Sequence, residues 1–476
     1  MSAPPSPSPA RWFKALRRTR IEESSTKAGP AACAEQLKRA RAAFRAGRTS
    51  KESFRRAQLE TLVRMLAEHE CDFVDALCRD LHKPRFESVV SELILVKNEA
   101  LYAINNLTKP PLSASVGAWC SPVQLCLVPL VGAIAAGNCV IINPSDTSSH
   151  TAELLHRLIP SYLDNECYHV LLASASDLPE IVDLKFDHVF FTGNSADGTK
   201  VAQAAARGLT PVTLVLDGTN PCYVDAECDG ARRGGASPGR ASRTPGRARR
   251  RPTTCCATPA PATPCCGSCA APCCSSTGRT RASPAATGAW PAPRASPRPR
   301  PARQVRHGGR RGQVNEAEKY IAPTLLTEVV ETDPIMQQEI FGPVLPILTV
   351  SDVDEAIAFI CRREKPLCVY AYSSNSKVIS RLMEETSSGS FCANDCILQS
   401  LMVVLPFGGV GASGMGSHHG RASFDTFSHR KSCLLRGTRI ECVTYLRYPP
   451  YEDRNLSLMT WASTLSYKSQ GWCQIL

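Results

Sequence analysis

Between Gly230 and Gly312 the chain runs for 83 residues without one Leu, Ile, Met, Phe or Tyr. The stretch is built almost wholly from Arg, Pro, Ala, Gly, Ser, Thr and Cys, with 17 Arg and no Lys, Asp or Glu. Such a composition cannot bury enough apolar surface to offset the entropy lost on ordering, so residues 230–312 are expected to be disordered. Any folded core must come from the sequence on either side. Ordinary globular text stops at Asn220 to Asp229 (NPCYVDAECD) and resumes at Glu316 to Leu326 (EAEKYIAPTLL). Arg, Pro, Ala and Gly are read from GC-rich codons, and the switch is abrupt. Both features point to a shifted reading frame or a mis-spliced message across this stretch.

The same segment explains the charge. The whole chain carries a formal +12, and 17 positive charges lie within 230–312, so the remainder is mildly acidic. The net charge therefore describes no basic nucleic-acid surface. Arg249 to Arg251 form a basic patch, but no aromatic residues are interleaved with them for base stacking, and no specific nucleic-acid partner is expected. Seven cysteines fall in the segment, among them Cys255-Cys256, Cys265-Cys266, Cys269 and Cys273-Cys274. Thiolates that hold zinc need flanking elements to fix them, and none is signalled here, so no metal site is expected.

The flanks follow α/β grammar. Ala34 to Phe44 and Leu59 to Leu66 place apolar residues at helical spacing, with Ser50 as the candidate N-cap of the second helix. Leu127 to Ala136 predicts a buried helix closed by Gly137, then a strand from Cys139 to Asn143 that stops at Pro144. A second unit follows, with strand His188 to Phe191, turn Thr192 to Asn194, a helix through Val201 to Ala206, and strand Thr213 to Leu216. That order predicts a βαβ crossover in a parallel sheet. Ligands of such sheets sit beyond the strand C-termini, where a Gly turn can face a pyrophosphate, which makes Gly193 a candidate cofactor residue. Alone, one Thr-Gly turn fits a plain structural turn equally well.

Four stretches in order carry more weight: Leu127 to Asp146 (LVPLVGAIAAGNCVIINPSD), Phe190 to Asn194 (FFTGN), Glu339 to Ile347 (EIFGPVLPI) and Pro406 to Gly416 (PFGGVGASGMG). Together they resemble the successive signatures of the aldehyde dehydrogenases. Ser423 to Arg436 and Leu446 to Tyr451 (LRYPPY) resemble the membrane-associated B-type branch of family 3. The resemblance implies a Rossmann-type parallel-sheet NAD-binding domain, a second α/β catalytic domain, partly lost here, and a small oligomerisation arm. The expected boundaries are a disordered basic, Pro-rich arm at 1–33, an NAD-binding domain at 34–221, a catalytic domain at 222–405, a bridging segment at 406–445 and a tail at 446–476.

In that family a cysteine thiolate attacks the aldehyde, a hydride passes to NAD or NADP, and a glutamate activates the water that hydrolyses the thioester. The resemblance places the nucleophile of a GQ-x-C motif inside 230–312, where no such motif occurs. Cys255 and Cys256 lie in PTTCCATPA, without the Gly-Gln turn. The general base of the LELGGK motif falls on Val215, which cannot accept a proton. The oxyanion-holding Asn of WNYP falls on Cys120 in Trp119 to Pro122 (WCSP). The ribose-binding KPSE motif matches Asn143-Pro144-Ser145-Asp146, so a lysine has become an amide. Thr192, Gly193, Glu339 and Phe341 match the remaining cofactor positions. Catalysis is thus expected to be lost and NAD binding to be weak; an active fatty-aldehyde dehydrogenase and a non-enzymatic binding protein acting through the Arg/Cys-rich segment are the alternatives. The family's substrates are medium- and long-chain fatty aldehydes, and a homodimer is implied.

Arg11, Lys14, Arg17, Arg18 and Arg20 are followed by no apolar stretch of signal-peptide length, and no run of roughly 20 apolar residues is available for a span. A cytoplasmic protein, or one on a cytosolic surface, is expected. The last residues, Cys473-Gln474-Ile475-Leu476, fit a C-a-a-X prenylation signal. A prenyl group on Cys473 would place the protein on a membrane or lipid droplet, with the basic arm as a possible second signal.

Overall fold

The computed structural model describes residues 29–107, 114–116, 118, 120–226, 254–257, 314–315, 320–321, 324–326, 329–337, 339–340, 344–396, 398–435, 448–449 and 452–463. The chain divides into two compact units, Met1–His429 and Arg430–Leu476. In the second unit the described residues include one helix, Asp453–Ser463, with Leu456 and Trp461 exposed.

The first unit opens with helices Pro30–Arg45, Glu52–Glu68, Glu70–Leu81 and Ile94–Asn105. The first begins at Pro30, inside the arm expected to be disordered through 33. Proline is favoured there because its fixed φ suits a first turn and its missing N–H has no partner to lose. Ser50 is not the cap of the second helix. That position is Lys51, which makes no side-chain cap, while the Ser50 hydroxyl donates to the Gly47 carbonyl at 2.6 Å.

Two six-stranded sheets follow. The first has order β14-β5-β4-β1-β2-β3, from β1 (Ala114–Val116), β2 (Val140–Asn143), β3 (Tyr168–Val170), β4 (Val189–Thr192), β5 (Val212–Val215) and β14 (Gly414–Met415). β1 to β5 are parallel, and only β14 runs antiparallel. The expected crossover is present: helix Ser195–Arg207 joins β4 to β5, which pair with Thr192 opposite Val215. All four β4 residues are buried, as a parallel strand covered on both faces requires.

The second sheet has order β10-β11-β7-β6-β12-β13, from β6 (Pro221–Val224), β7 (Thr254–Ala257), β10 (Thr324–Leu326), β11 (Val344–Thr349), β12 (Cys368–Tyr372) and β13 (Ser390–Ala393), while β8 (Val314–Asn315) and β9 (Tyr320–Ile321) pair antiparallel as a separate two-stranded sheet. β7 corrects the expectation that 230–312 forms no ordered element. It pairs in parallel with β6 on one side (Cys222 with Cys255) and β11 on the other (Ile347 with Cys255). Cys256 is 0% exposed and packs with Tyr223, Val329, Met336 and Phe359. Thr-Cys-Cys-Ala is small, unbranched or β-branched, and uncharged, so it fits a gap between two apolar strands although it carries no strand signal of its own.

Helix Pro122–Ala135 is the buried hub. All of its residues are buried, and it runs through Pro129. It closes at Gly137, whose φ of +78° and N–H bond to Ile134 (2.8 Å) turn the chain into β2. At its other end water cannot reach the free amides, and the buried Glu92 carboxylate takes them. One oxygen accepts from Val123 N (2.9 Å) and Gln124 N (3.2 Å), and the other pairs with the Lys83 ammonium. Lys83 also donates to the Cys120 carbonyl at 3.3 Å.

Two stability predictions follow from this packing. Glu92→Ala leaves a buried ammonium and two buried amides unpaired, so it should destabilise by about 3–5 kcal/mol. Pairing it with Lys83→Met should recover only part of that, because the amides stay orphaned; full recovery in urea unfolding would show that the cap is unimportant. Cys256→Asp should likewise lower the urea midpoint sharply, since an isolated carboxylate would enter a dry sheet. An unchanged midpoint would mean that β7 is not part of the core.

Candidate functional site

In the first sheet the strand order reverses at β1, with β2 and β3 on one side and β4 and β5 on the other. A crevice forms outside the C-terminal ends of the strands at such a switch point, and nucleotides bind there. The C-terminal residues around it are Asn143 on β2, Thr192 on β4 and Val215 on β5. The structure thus brings together three positions that lie far apart in the sequence.

Thr192 is 2% exposed, and its hydroxyl has no hydrogen-bond partner among the described residues. A buried, unpaired hydroxyl at a switch point is the feature that best fits a polar ligand. Gly193 turns the chain from β4 toward the helix. A Cβ there would lie 2.2 Å from Phe191 Cζ, so any side chain would force the buried Phe191 ring to shift. Its amide donates to the Val215 carbonyl at 3.3 Å. Helix Ser195–Arg207 begins under its own cap: Asn194 Oδ1 accepts from Asp197 N at 2.8 Å, and Asp197 pairs with Lys200 at 3.0 Å. A diphosphate here would meet the Gly193 turn before a helix end whose first turn already carries a carboxylate.

The motif Asn143 to Asp146 is partly engaged within the fold. Asn143 is 6% exposed, and its Oδ1 accepts from Ala173 N at 3.0 Å, tying β2 to the segment after β3. Ser145 Oγ accepts from Thr147 N at 3.3 Å, and Asp146 is exposed. Glu339 does reach the site. Its Oε2 accepts from Gly218 N at 3.2 Å, three residues past Val215. Phe341 lies outside the described residues.

The two degenerate positions are ordered and buried. Val215 is 2% exposed in the main core, between Thr192 on β4 and Gly414 on β14. Gly414 has φ +138°, and a Cβ on it would meet the Leu214 carbonyl at 2.0 Å, so β14 can approach β5 only with glycine there. Cys120 is 2% exposed and packs with Ala118 and Leu125. Of the two cysteines weighed within 230–312, burial pushes the Cys256 thiol up to about 12, the opposite of what a nucleophile needs.

Sequence reasoning missed Lys83 and Glu92, which fix the Cys120 turn and the hub helix. Their only signal is a charge pair nine residues apart in otherwise ordinary text, and nothing in the spacing says that both are buried. Among the described residues no group of three or more His, Cys, Asp or Glu could hold a metal ion, and no helix is long and apolar enough to cross a membrane.

The comparisons agree with this geometry. The aldehyde dehydrogenase family model matches residues 19–234 and 300–433. The gap between the two matched stretches, 235–299, lies within the Arg-rich segment. The chain is 41% identical to aldehyde dehydrogenase family 3 member B2 of Mus musculus, over 92% of this chain and 96% of that one. It is 39% identical to family 3 member A2 of Rattus norvegicus, over 89% and 92%. Its fold matches the substrate-bound AldH of Staphylococcus aureus with a TM-score of 0.79 at 29% identity, covering 90% of this chain and 98% of that one. With a parallel sheet whose switch point gathers Thr192, Gly193, Val215 and Asn143, and with these matches over most of its length, the chain belongs to the aldehyde dehydrogenase family, and the relatives named are members of its family 3.

Proposed function

We propose that this chain is a catalytically silent member of the family that keeps a weakened NAD or NADP crevice and a lipid-anchoring tail. The observation that carries the reading is Val215. A proton acceptor is required at the end of β5, and the residue there is a buried valine among apolar neighbours. Losing a general base lowers rate by about 10²–10⁴, and losing one oxyanion donor, as at Cys120, by about 10²–10³. Loss of the GQ-x-C nucleophile removes the covalent route itself.

The cofactor would be held by Thr192, Gly193 and Glu339, with Asn143, Ser145 and Asp146 contributing less, and when bound it would supply a hydride acceptor. Asn143 spends its carboxamide oxygen on Ala173 N, and the lysine of the family motif is absent, so affinity should be low. The family's medium- and long-chain fatty aldehydes are the substrates that an intact chain would take. We further assign the tail a C-a-a-X prenylation at Cys473, which lies outside the described residues, and with it a cytoplasmic, membrane- or lipid-droplet-associated location. Each methylene equivalent of an isoprenoid adds about 0.8 kcal/mol to membrane partition.

Purified full-length protein should reduce neither NAD nor NADP above the enzyme-free rate at saturating aldehyde, followed by absorbance of the reduced cofactor. Turnover that disappears on mutating a single cysteine would overturn the silent reading and identify a nucleophile. In cells, Cys473→Ser should shift the protein from the membrane fraction to the soluble one. Equal membrane fractions for the two forms would mean that the tail is not the anchor.

A further inference from the structure

Residues 406–427 form a strap along the edge of the crevice. Phe407 and His418 close it with two backbone bonds of 2.8 Å. Between them β14 lies against β5, with Gly414 opposite Val215, and Ser413 O accepts from Leu216 N at 3.0 Å. The strap ends in helix Gly420–Thr426, and one buried side chain from far away in sequence holds that end. Glu99, on helix Ile94–Asn105, is 3% exposed; its Oε1 accepts from Gly420 N at 2.6 Å and from Ser423 Oγ at 3.2 Å. The backbone just before is unusual, since His419 has φ +84° and Gly420 +49°. A non-glycine residue held there is strained, and it stays put only while its surroundings over-determine it.

We propose that Glu99 is a proton-sensitive latch that holds the 406–427 strap, and with it β14, against the crevice edge at Val215.

The surroundings of Glu99 make the latch respond to its own charge. Helix Pro122–Ala135, packed beside it, has no charged residue. On the strap, Arg421 is paired with Asp425 at 3.1 Å on the surface. His418 and His419 stand edge to face at 4.3 Å, with His419 stacked on Phe407. His188, beneath Phe427, is held down to about 4 by burial and is neutral from pH 6 to 8. On the helices behind, Arg55 donates to the Ala135 carbonyl, and Lys83 and Glu92 neutralise each other. Lys97, on the Glu99 helix, lies 3.9 Å from Glu70. Burial therefore dominates. It raises the Glu99 carboxyl from 4.5 to about 7, against the two hydrogen bonds that lower it.

The sign follows from linkage. An open strap exposes Glu99 to water, where it titrates near its ordinary value, so between about 4.5 and 7 the closed state binds the extra proton. Closure is strongest below that window, weakens as pH rises through it, and levels off above it. The opening equilibrium should increase about tenfold between pH 6 and pH 8. The latch needs no catalysis, so its test is independent of the silent-enzyme reading.

Hydrogen exchange on the full chain, corrected for intrinsic rates, would read it directly. Peptides covering 406–427 should open about tenfold more at pH 8 than at pH 6, while peptides in helix Glu52–Glu68 stay unchanged, and Glu99→Gln should abolish the difference. Ser423→Ala removes one donor to the carboxylate and should move the transition to higher pH, which keeps the test open if Glu99→Gln folds poorly. Equal exchange at the two pH values overturns the proposal. So does a pH effect that persists in Glu99→Gln, one that spreads equally over helix Glu52–Glu68, or one of opposite sign, which would assign the response to buried imidazoles such as His418 and His419.

Discussion

A helix buried on every side leaves its first amides with no water to bond, and here that need is met by a carboxylate from another helix. Glu92 binds the amides of Val123 and Gln124, and Lys83 neutralises the charge so introduced. Removing any member leaves another polar group stranded in a dry interior. The pair also bonds the Cys120 carbonyl, so the turn that precedes the helix is fixed by the device that caps it. Packing of β2, of helix Ile94–Asn105 and of the strap against the hub helix all depend on that helix being where it is.

Carboxylates recur as long-range ties, two of them buried and one half-buried. Glu92 joins the segment after Lys83 to the hub, and Glu99 joins the N-terminal helices to the strap more than 300 residues away. Glu339 ties the start of the second sheet to the loop after β5 through Gly218 N. In each case a carboxylate accepts from a backbone amide that a strand or helix end leaves without a partner. The three differ in what balances the charge. Glu92 has an ammonium, whereas Glu99 has only neutral donors, which is why burial raises Glu99 so far.

The family framework is kept here with a valine at the end of β5. Val215 is buried in the main core and keeps β5 packed between β4 and β14. Residues that hold the sheet together and residues that react therefore answer to different constraints. A valine at the end of a buried parallel strand satisfies the first, and its side chain carries no proton-accepting atom for the second.

Much of the first sheet was legible in the sequence because its determinants are local. Strand-turn-helix-strand order from His188 to Leu216, the apolar run through Leu127 to Ala136 and the Gly137 exit are short-range patterns, and the structure realises them. Ser50 was misread because a cap depends on the φ and ψ of one residue, which composition does not record. The strand at Thr254–Ala257 was invisible, since nothing in Thr-Cys-Cys-Ala signals a strand; only the gap between β6 and β11 gives it a place. The site divided in the same way. The motif positions Thr192, Gly193, Val215 and Glu339 could be named from the sequence, but their meeting at one edge required the sheet order. Lys83, Glu92 and Glu99 are ordinary charged residues in the sequence, and only tertiary burial, by removing water from them, makes one pair a cap and the third a group that titrates near neutrality.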